Sequence, residues 1–245
     1  VFFLFIKLEL LIGLYFMNKF KNKFLYLIQV LQFSINYLTN KNFKEKKLLG
    51  SVVDNEINVF DVGSNLGSYI KFVSNQNKDK IINFYSFEPN KNLIVDQKKI
   101  KLSTLHKLNI NNVGVSNENT VKPFFKRNVS SQSSFLEESQ SKALNNLEET
   151  LLVETVRIDD FCLENDIDYI DILKIDTEGL ELEVLTSALN MIKNKKIGII
   201  KIEIFDKMNS IFNLLINNGY KLVGITNTTY IENKLFVFDA YFQCK

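Results

Sequence analysis

Two glycines and an acidic residue lie near position 60, in a pattern typical of a cofactor-binding turn. The apolar run VFDV is followed by Gly63 and then by Gly67. Glycine at these positions lets a strand turn sharply into a helix, because glycine tolerates positive φ angles and a close approach of the backbone. In an open α/β sheet such a turn lies in the crevice at the carboxyl ends of the strands, where the first amides of the helix face a ligand.

The glycine spacing and the nearby acid indicate the type of cofactor. Dinucleotide-binding turns carry three glycines as G-x-G-x-x-G, whereas this turn has two, as Gly63-x-x-x-Gly67. Asp61 at the end of the strand would repel a pyrophosphate, but it suits a cofactor with a cationic end. S-adenosylmethionine fits, because it carries a sulfonium and an α-amino group. A tight strand–helix turn without a ligand is the structural alternative.

A second acid follows the next predicted strand. The segment YSFEPN places Glu88 at the end of that strand, 21 positions after Gly67. A carboxylate in this place can accept hydrogen bonds from both hydroxyls of an adenosine ribose. The alternative is a carboxylate that is stabilised by the dipole of the following helix. Together with the glycine turn, Glu88 predicts a ribose site.

Two further predicted strands end in acidic residues. Asp176 and Glu178 follow the run IDILKI, and Glu203 lies near the end of GIIKIEI. Buried carboxylates need a partner, which a cationic cofactor or a hydroxyl substrate would provide. The alternative for one of these acids is that it caps the N-terminus of the helix at 180–192. We predict catalytic roles for all three, with Asp176 or Glu203 as the base. Oxygen clusters of this kind suit magnesium, but we predict no metal site.

The composition excludes several other kinds of site. The sequence has one histidine, His106, and two cysteines, Cys162 and Cys244, which argues against a Cys/His zinc site, a histidine-based catalytic pair and a disulfide framework. His106 is predicted to be structural, at the start of the third strand. The 245 residues are 46% hydrophobic and 24% charged, as in an ordinary globular protein. The net charge of +2 gives no reason to expect a nucleic-acid partner.

Apolar strands alternate with helices from Asn58 onward, which predicts a doubly wound α/β domain with a parallel sheet. The strands are NVFDV, INFYSF, IDILKI and GIIKIEI, and the helices lie near 66–77, 89–101, 180–192 and 207–218. The segment ITNTTYIENK is predicted to be a loop between strands near 220–225 and 234–241, which makes the last pair an antiparallel hairpin. The polar residues 126–150 are predicted to form a mobile excursion or lid.

Residues 1–47 are predicted to form an N-terminal segment that precedes a cofactor-binding domain at 48–245. Residues 1–16 are apolar but short for a spanning helix, and we expect that the working protein begins at Met17. Residues 18–40 have the apolar spacing of a helix. A membrane-surface anchor is the alternative for the N-terminal segment, because lysines follow the apolar block. The predicted location is the cytoplasm, and the protein would also associate with a membrane if the N-terminal segment is a membrane-surface anchor.

The chain resembles the FkbM-type S-adenosylmethionine-dependent methyltransferases over about residues 55–205. The matching segments occur in the family's order and are VFDVGSNLGSY, FYSFEPN, NVGVSN, VRIDDFC, IDILKIDTEGLELEVL and IIKIEI. The resemblance implies a Rossmann-like, mostly parallel sheet of seven strands and methyl transfer, usually to a hydroxyl. We therefore predict a sugar, glycan or small hydroxylated metabolite as acceptor. The alternatives are a non-catalytic module that keeps the fold and, despite the missing third glycine, an NAD-type oxidoreductase.

The resemblance also implies roles for individual residues. The methionine end of the cofactor would be lined by Asp61, Gly63, Ser64, Asn65 and Gly67, where Ser64 replaces the alanine that is frequent in the family. Glu88 would hold the ribose, and Asn112 and Val113 would approach the adenine. Asp176 and Glu178 would face the transferring methyl group or the acceptor. Arg157 and Asp159 match a further stretch of the family, for which a structural role is the alternative.

Overall fold

The computed structural model of the protein describes residues 56–127, 130, 133–136, 147–204, 207–231 and 234–244. The apolar residues 1–16, the predicted helix at 18–40 and the division at residue 47 lie outside these ranges, so they stay predictions. Among the residues that are described, no helix is both long and apolar enough to cross a membrane.

The described residues contain ten strands, which form two sheets. In chain order they are β1 (Glu56–Val62), β2 (Ile81–Phe87), β3 (His106–Asn111), β4 (Gly114–Val115), β5 (Thr120–Arg127), β6 (Leu147–Val156), β7 (Ile170–Ile175), β8 (Ile197–Ile204), β9 (Tyr220–Ile231) and β10 (Lys234–Cys244). The larger sheet has seven strands in the order β3-β2-β1-β7-β8-β10-β9. Its first five strands are parallel, and β10 runs antiparallel to both β8 and β9. The prediction of a mostly parallel seven-stranded sheet with an antiparallel C-terminal hairpin is therefore confirmed.

Helices cover both faces of this sheet. They are α1 (Ser68–Gln76), α2 (Lys91–Gln97), α3 (Ile158–Glu164), α4 (Glu181–Ser187), α5 (Leu189–Lys193) and α6 (Met208–Asn217). Successive residues of a strand point to opposite faces of the sheet. On one face, Val59 of β1 belongs to a core cluster that includes Ile70 of α1. On the other face, Phe60 of β1 belongs to a second cluster that includes Val184 of α4. Burial on both faces explains why the central strands are continuously apolar in sequence.

The C-terminal hairpin is longer than predicted. Strand β9 continues to Ile231, so the predicted loop at 225–234 is wrong for most of its length. Thr226 pairs with Asp239 and Thr229 with Val237, with a register shift between these pairs. The β-branched threonines suit a strand, and the left-handed Asn227, at φ 51°, lies at this irregularity.

A second, three-stranded sheet was not predicted. Its order is β4-β6-β5, with β4 parallel and β5 antiparallel to β6. Strand β6 exposes much of one face, and the side chain of Leu152 is 78% exposed. The sequence LEETLLVETV therefore lacks the continuous apolar run that identified the central strands. Residues 126–127 and 147–150, at the two ends of the predicted excursion, belong to this sheet.

Candidate active site

A cavity of about 630 Å³ lies at the carboxyl ends of the parallel strands. Its lining includes Val62 at the end of β1, Phe87 at the end of β2, Asp176 just after β7, and Glu203 near the end of β8. The strand order reverses at β1, because β2 and β3 lie on one side of it and β7 and β8 on the other. Ligands of open α/β sheets bind at such a switch point.

The turn between β1 and α1 forms one wall of the cavity. Three of its residues, Gly63, Asn65 and Gly67, have positive φ angles of 74°, 48° and 70°. A Cβ atom on Gly63 would lie 1.8 Å from the backbone oxygen of Asp176, and one on Gly67 would lie 2.4 Å from Cδ1 of Ile100. Backbone conformation and packing within the protein therefore both favour glycine at these two positions.

Glu88 is held in place by two backbone amides at the cavity wall. Its Oε1 accepts a hydrogen bond from the amide of Asn90, and its Oε2 accepts one from the amide of Asn65, both at 2.8 Å. The residue is 5% exposed. Burial raises the pKa of Glu88 to about 7, although the two amide hydrogen bonds oppose this rise. Each carboxylate oxygen keeps a lone pair for a further donor.

Three carboxyl groups converge on the other side of the glycine turn. Asp176, Glu178 and Glu203 each bring one oxygen within 4.8 Å of the others. Burial, followed by the charge of Asp176, raises the pKa of Glu178 to about 7 and that of Glu203 to about 8. Glu178 adopts a left-handed conformation with φ 56°, which is uncommon for a residue other than glycine. The acid cluster can therefore take up and release a proton near neutral pH.

Lys174 joins this acid cluster to the glycine turn, and the sequence analysis missed it. Its Nζ lies 3.0 Å from Oδ1 of Asp61 and 3.3 Å from Oδ2 of Asp176, and it donates a hydrogen bond of 3.1 Å to the carbonyl of Gly63. Burial would lower the pKa of Lys174, but Asp61 and Asp176 outweigh this effect and raise it, so the ammonium stays charged. Burial raises the pKa of Asp61, which the adjacent ammonium opposes.

The sequence of residues 61–222 matches the family model described as the methyltransferase FkbM domain. The chain belongs to this FkbM methyltransferase family. S-adenosylmethionine is accordingly its cofactor. No match was found among curated proteins.

The solved FkbM methyltransferase from Methylobacillus flagellatus KT has a similar fold, with a TM-score of 0.52 and 15% sequence identity over 83% of this chain. The present chain spans about half the length of that protein, 47%. A precorrin-6y C5,15-methyltransferase from Geobacter metallireducens GS-15 matches with a TM-score of 0.42 and 12% sequence identity, and the match covers 83% of this chain and 91% of that protein. An rRNA methylase from Streptococcus thermophilus matches with a TM-score of 0.45 and 12% sequence identity, and the match covers 81% of this chain and 93% of that protein.

The residues at this FkbM site suit a cationic adenosyl cofactor. Glu88 offers two preoriented carboxylate oxygens to a pair of hydroxyls, and the acid cluster faces the same cavity. Below the cavity, Oδ2 of Asp61 has no hydrogen-bond partner among the described residues. Acidic side chains therefore outnumber basic ones in the lining, which suits a cationic sulfonium.

Most of the predicted site residues line the cavity. They are Gly63, Ser64, Asn65, Glu88, Asp176, Glu178 and Glu203. Asp61, Gly67, Asn112 and Val113 are not part of the lining. Asp61 is fully buried, behind Lys174. The amide of Asn112 donates to the carbonyls of Glu88 and Pro89 at 2.8 and 3.0 Å, so this side chain shapes the loop after β2.

Three further residues from the sequence analysis have structural contacts outside the cavity. His106 begins β3, and its ring nitrogens contact Ser74 Oγ at 2.8 Å and the carbonyl of Asn77 at 3.1 Å. Asp159 accepts hydrogen bonds from two amides of α5 at 2.9 and 3.0 Å, and Arg157 pairs with it at 3.5 Å. These contacts support the structural alternatives.

The described part of the predicted excursion touches both turns of the site. Ser130 Oγ lies 3.4 Å from Oδ1 of Asn65, and Ser134 Oγ donates to the carbonyl of Glu178 at 2.9 Å. Phe135 fills the space beside Gly114, where an added Cβ would lie 2.3 Å from its ring. Residues 128–129, 131–132 and 137–146 of the excursion lie outside the described ranges. The described residues Ser130, Ser133 and Phe135 therefore form part of the cavity wall.

Proposed function

We propose that the protein transfers a methyl group from S-adenosylmethionine to a hydroxyl of a sugar, a glycan or a small hydroxylated metabolite. One observation carries this proposal: Glu88, suited to a ribose, and Glu203, whose pKa is raised to about 8, line the same cavity. A base whose pKa lies near the working pH is the most effective acceptor of a proton from a hydroxyl.

The cofactor is proposed to lie against the turn between β1 and α1. Glu88 would hold the ribose hydroxyls, and Gly63, Ser64 and Asn65 would contact the methionine end. Asp61 would act through Lys174, since it does not reach the cavity itself. Gly114 and Val115 line the wall beyond Glu88, so the adenine would approach these residues, while Asn112 and Val113 position their loop.

The chemistry of the remaining residues follows from their charges. When bound, S-adenosylmethionine supplies an electrophilic methyl group, and the protein chiefly positions the reactants. Glu203 takes the proton that the acceptor hydroxyl loses. Lys174 keeps Asp176 fixed beside it at 3.3 Å, and Asp176 and Glu178 place negative charge where the cofactor carries positive charge.

Replacing Glu88 by alanine is expected to weaken S-adenosylmethionine binding more than tenfold, because two charge-assisted hydrogen bonds to the ribose are lost. Since the pKa of Glu88 is about 7 in the free protein, its ionised fraction falls below that pH. Wild-type affinity should therefore be lower at pH 6 than at pH 8. Isothermal titration with S-adenosylmethionine at both pH values measures both effects.

The control for this titration is Glu154→Ala, which removes an exposed carboxylate of β6. It should bind S-adenosylmethionine as the wild type does. An unchanged affinity in Glu88→Ala would contradict the ribose assignment, provided that thermal unfolding shows the variant to be folded.

Chelation with EDTA is expected to leave methyl transfer unchanged within about twofold. The acid cluster resembles a magnesium site in its spacing. However, partial protonation of Glu178 and Glu203 lowers the charge repulsion within the cluster near neutral pH, and Lys174 supplies a fixed positive charge. Tritiated methyl transfer before and after chelation tests this. A loss of activity that added Mg²⁺ restores would instead assign a metal to the acid cluster.

A further inference from the structure

The cavity continues past Asp176 towards the C-terminal hairpin, and this end contains polar groups that the proposed function does not use. Three adjacent strands contribute them: Lys201 from β8, Asp239 from β10 and Asn227 from β9. Glu88 lies at the opposite end, after β2. If the cofactor occupies the part between Glu88 and Asp176, the part that remains for the acceptor is the one at β8, β10 and β9.

These three residues form a preassembled network, which is called the hairpin triad below. Lys201 Nζ lies 3.1 Å from Oδ2 of Asp239, and Nδ2 of Asn227 donates to the same oxygen at 2.7 Å. The side chains of Lys201 and Asp239 are only 12% and 10% exposed. Lys201 Nζ also lies 5.1 Å from the ring centre of Tyr69. Such contacts fix the side chains before a ligand arrives.

The hairpin triad still has hydrogen-bonding capacity towards the cavity. Both described contacts of Asp239 use Oδ2, so Oδ1 can accept a hydrogen bond. The side-chain amide of Asn227 has a second N–H to donate and an oxygen that can accept. Tyr69 and Phe72 line the same wall, with ring centres 6.2 Å apart. The polar groups of the hairpin triad can bind hydroxyls at the edge of a ligand ring, and the aromatic side chains can contact the C–H groups on its face.

The charge of this part of the cavity discriminates between acceptors. Lys201 is balanced by Asp239. Glu203 lies opposite Asp239 in the register of β8 and β10, and it belongs to the acid cluster with Asp176 and Glu178. A phosphate or carboxylate on the acceptor would meet these acids in a partly buried site, where like charges repel strongly. An uncharged acceptor has no such penalty.

We propose that the hairpin triad is the acceptor subsite, and that it selects an uncharged polyhydroxyl ring and rejects acceptors with a phosphate or a carboxylate. The inference rests on the proposed function, because it takes the Glu88 end as the cofactor site. A free sugar and the terminal residue of a glycan share this chemistry.

The test compares matched acceptors with tritiated S-adenosylmethionine. The panel consists of neutral methyl pyranosides, trisaccharides that end in the same sugars, and the corresponding 6-phosphates and uronic acids. We expect transfer to a neutral member, and at least tenfold lower kcat/KM for its charged counterparts. Better transfer to the pyranoside than to the trisaccharide would indicate a small-molecule acceptor, and the reverse a glycan end. Transfer only to charged members, or to no neutral member, would overturn the inference.

The variant Asp239→Asn tests the residues themselves. Its KM for the best neutral acceptor should rise at least tenfold, while its affinity for S-adenosylmethionine stays within about twofold of the wild type. The control Glu183→Gln breaks the ion pair with Lys122, at 3.6 Å and outside the cavity, and should change neither value. A lower melting temperature without a change in acceptor KM would show that the hairpin triad only joins strands, and would overturn the inference.

Failure of the inference can be distinguished from failure of the proposed function. If the wild type does not bind S-adenosylmethionine in calorimetry, the proposed function itself is wrong. If it binds the cofactor and methylates an acceptor, but Asp239→Asn has the wild-type acceptor KM, only the assignment of the hairpin triad is wrong.

Discussion

Replacing Glu203 by glutamine is expected to lower kcat for methyl transfer about a hundredfold or more and to leave the affinity for S-adenosylmethionine almost unchanged. Glutamine keeps the size of the side chain but cannot take the proton of the acceptor. Glu203 lies in β8, whereas Glu88 follows β2 at the other end of the cavity, so the cofactor contacts should persist. Tritiated methyl transfer and isothermal titration measure the two quantities separately.

This result would also separate an enzyme from a non-catalytic module that only binds the cofactor. Glu154→Gln, at an exposed position of β6, is the matched control and should retain the wild-type kcat. A loss smaller than tenfold in Glu203→Gln, together with a large loss in Asp176→Asn, would assign the proton to Asp176 instead.

The same Glu203→Gln variant should be more stable than the wild type in alkaline solution. The pKa of Glu203 is raised from 4.5 to about 8 in the folded protein, so the folded state binds a proton that the unfolded chain releases between these values. Stability conferred by the neutral carboxyl is thus lost as pH rises through this window. At pH 9 the free energy of unfolding should exceed that of the wild type by about 1 kcal/mol or more, and at pH 4 the two should agree. Urea unfolding at both pH values checks this.

The sequence predicted the central sheet well because its strands are buried on both faces. Strand β7 is buried at every position from Ile170 to Ile175, which gives the continuous apolar run that distinguishes such strands. The strands at the periphery lack this pattern. In β6, Leu152 faces solvent and Val153 faces the core, and β9 contains threonines and asparagines that also occur in loops. Pairing with a neighbouring strand, which single-sequence patterns do not reveal, decides their structure.

The acids of the site were predictable because the carboxyl ends of parallel strands meet at one edge. Asp176, Glu178 and Glu203 are therefore close together although they are up to 27 positions apart in sequence. Lys174 was missed because a lysine in a strand usually reaches solvent. A signal was present: IDILKI predicts burial on both faces, so its lysine needs an acidic partner. Asp61 provides it, since it pairs with Lys174 in the register of β1 and β7.

Replacing Lys174 by methionine is expected to lower the free energy of unfolding by about 3–5 kcal/mol, because it leaves the fully buried Asp61 without its ion-pair partner. Urea unfolding at pH 7 measures this loss. Lys122→Met is the matched control, because its ion pair with Glu183 is 3.6 Å long and its side chain is 27% exposed. A pair of that kind contributes about 1 kcal/mol or less. A similar, small loss in both variants would contradict a charged, buried Lys174.

The double variant Lys174→Met/Asp61→Asn separates the contribution of Lys174 to stability from its contribution to cofactor binding and methyl transfer. It removes the buried charge along with its partner, so most of the lost stability should return. The hydrogen bond to the Gly63 carbonyl and the contact with Asp176 stay absent. S-adenosylmethionine affinity and kcat should therefore remain at least tenfold below the wild type. If activity returned together with stability, Lys174 would serve only to neutralise Asp61, and the glycine turn and Asp176 would keep their positions without it.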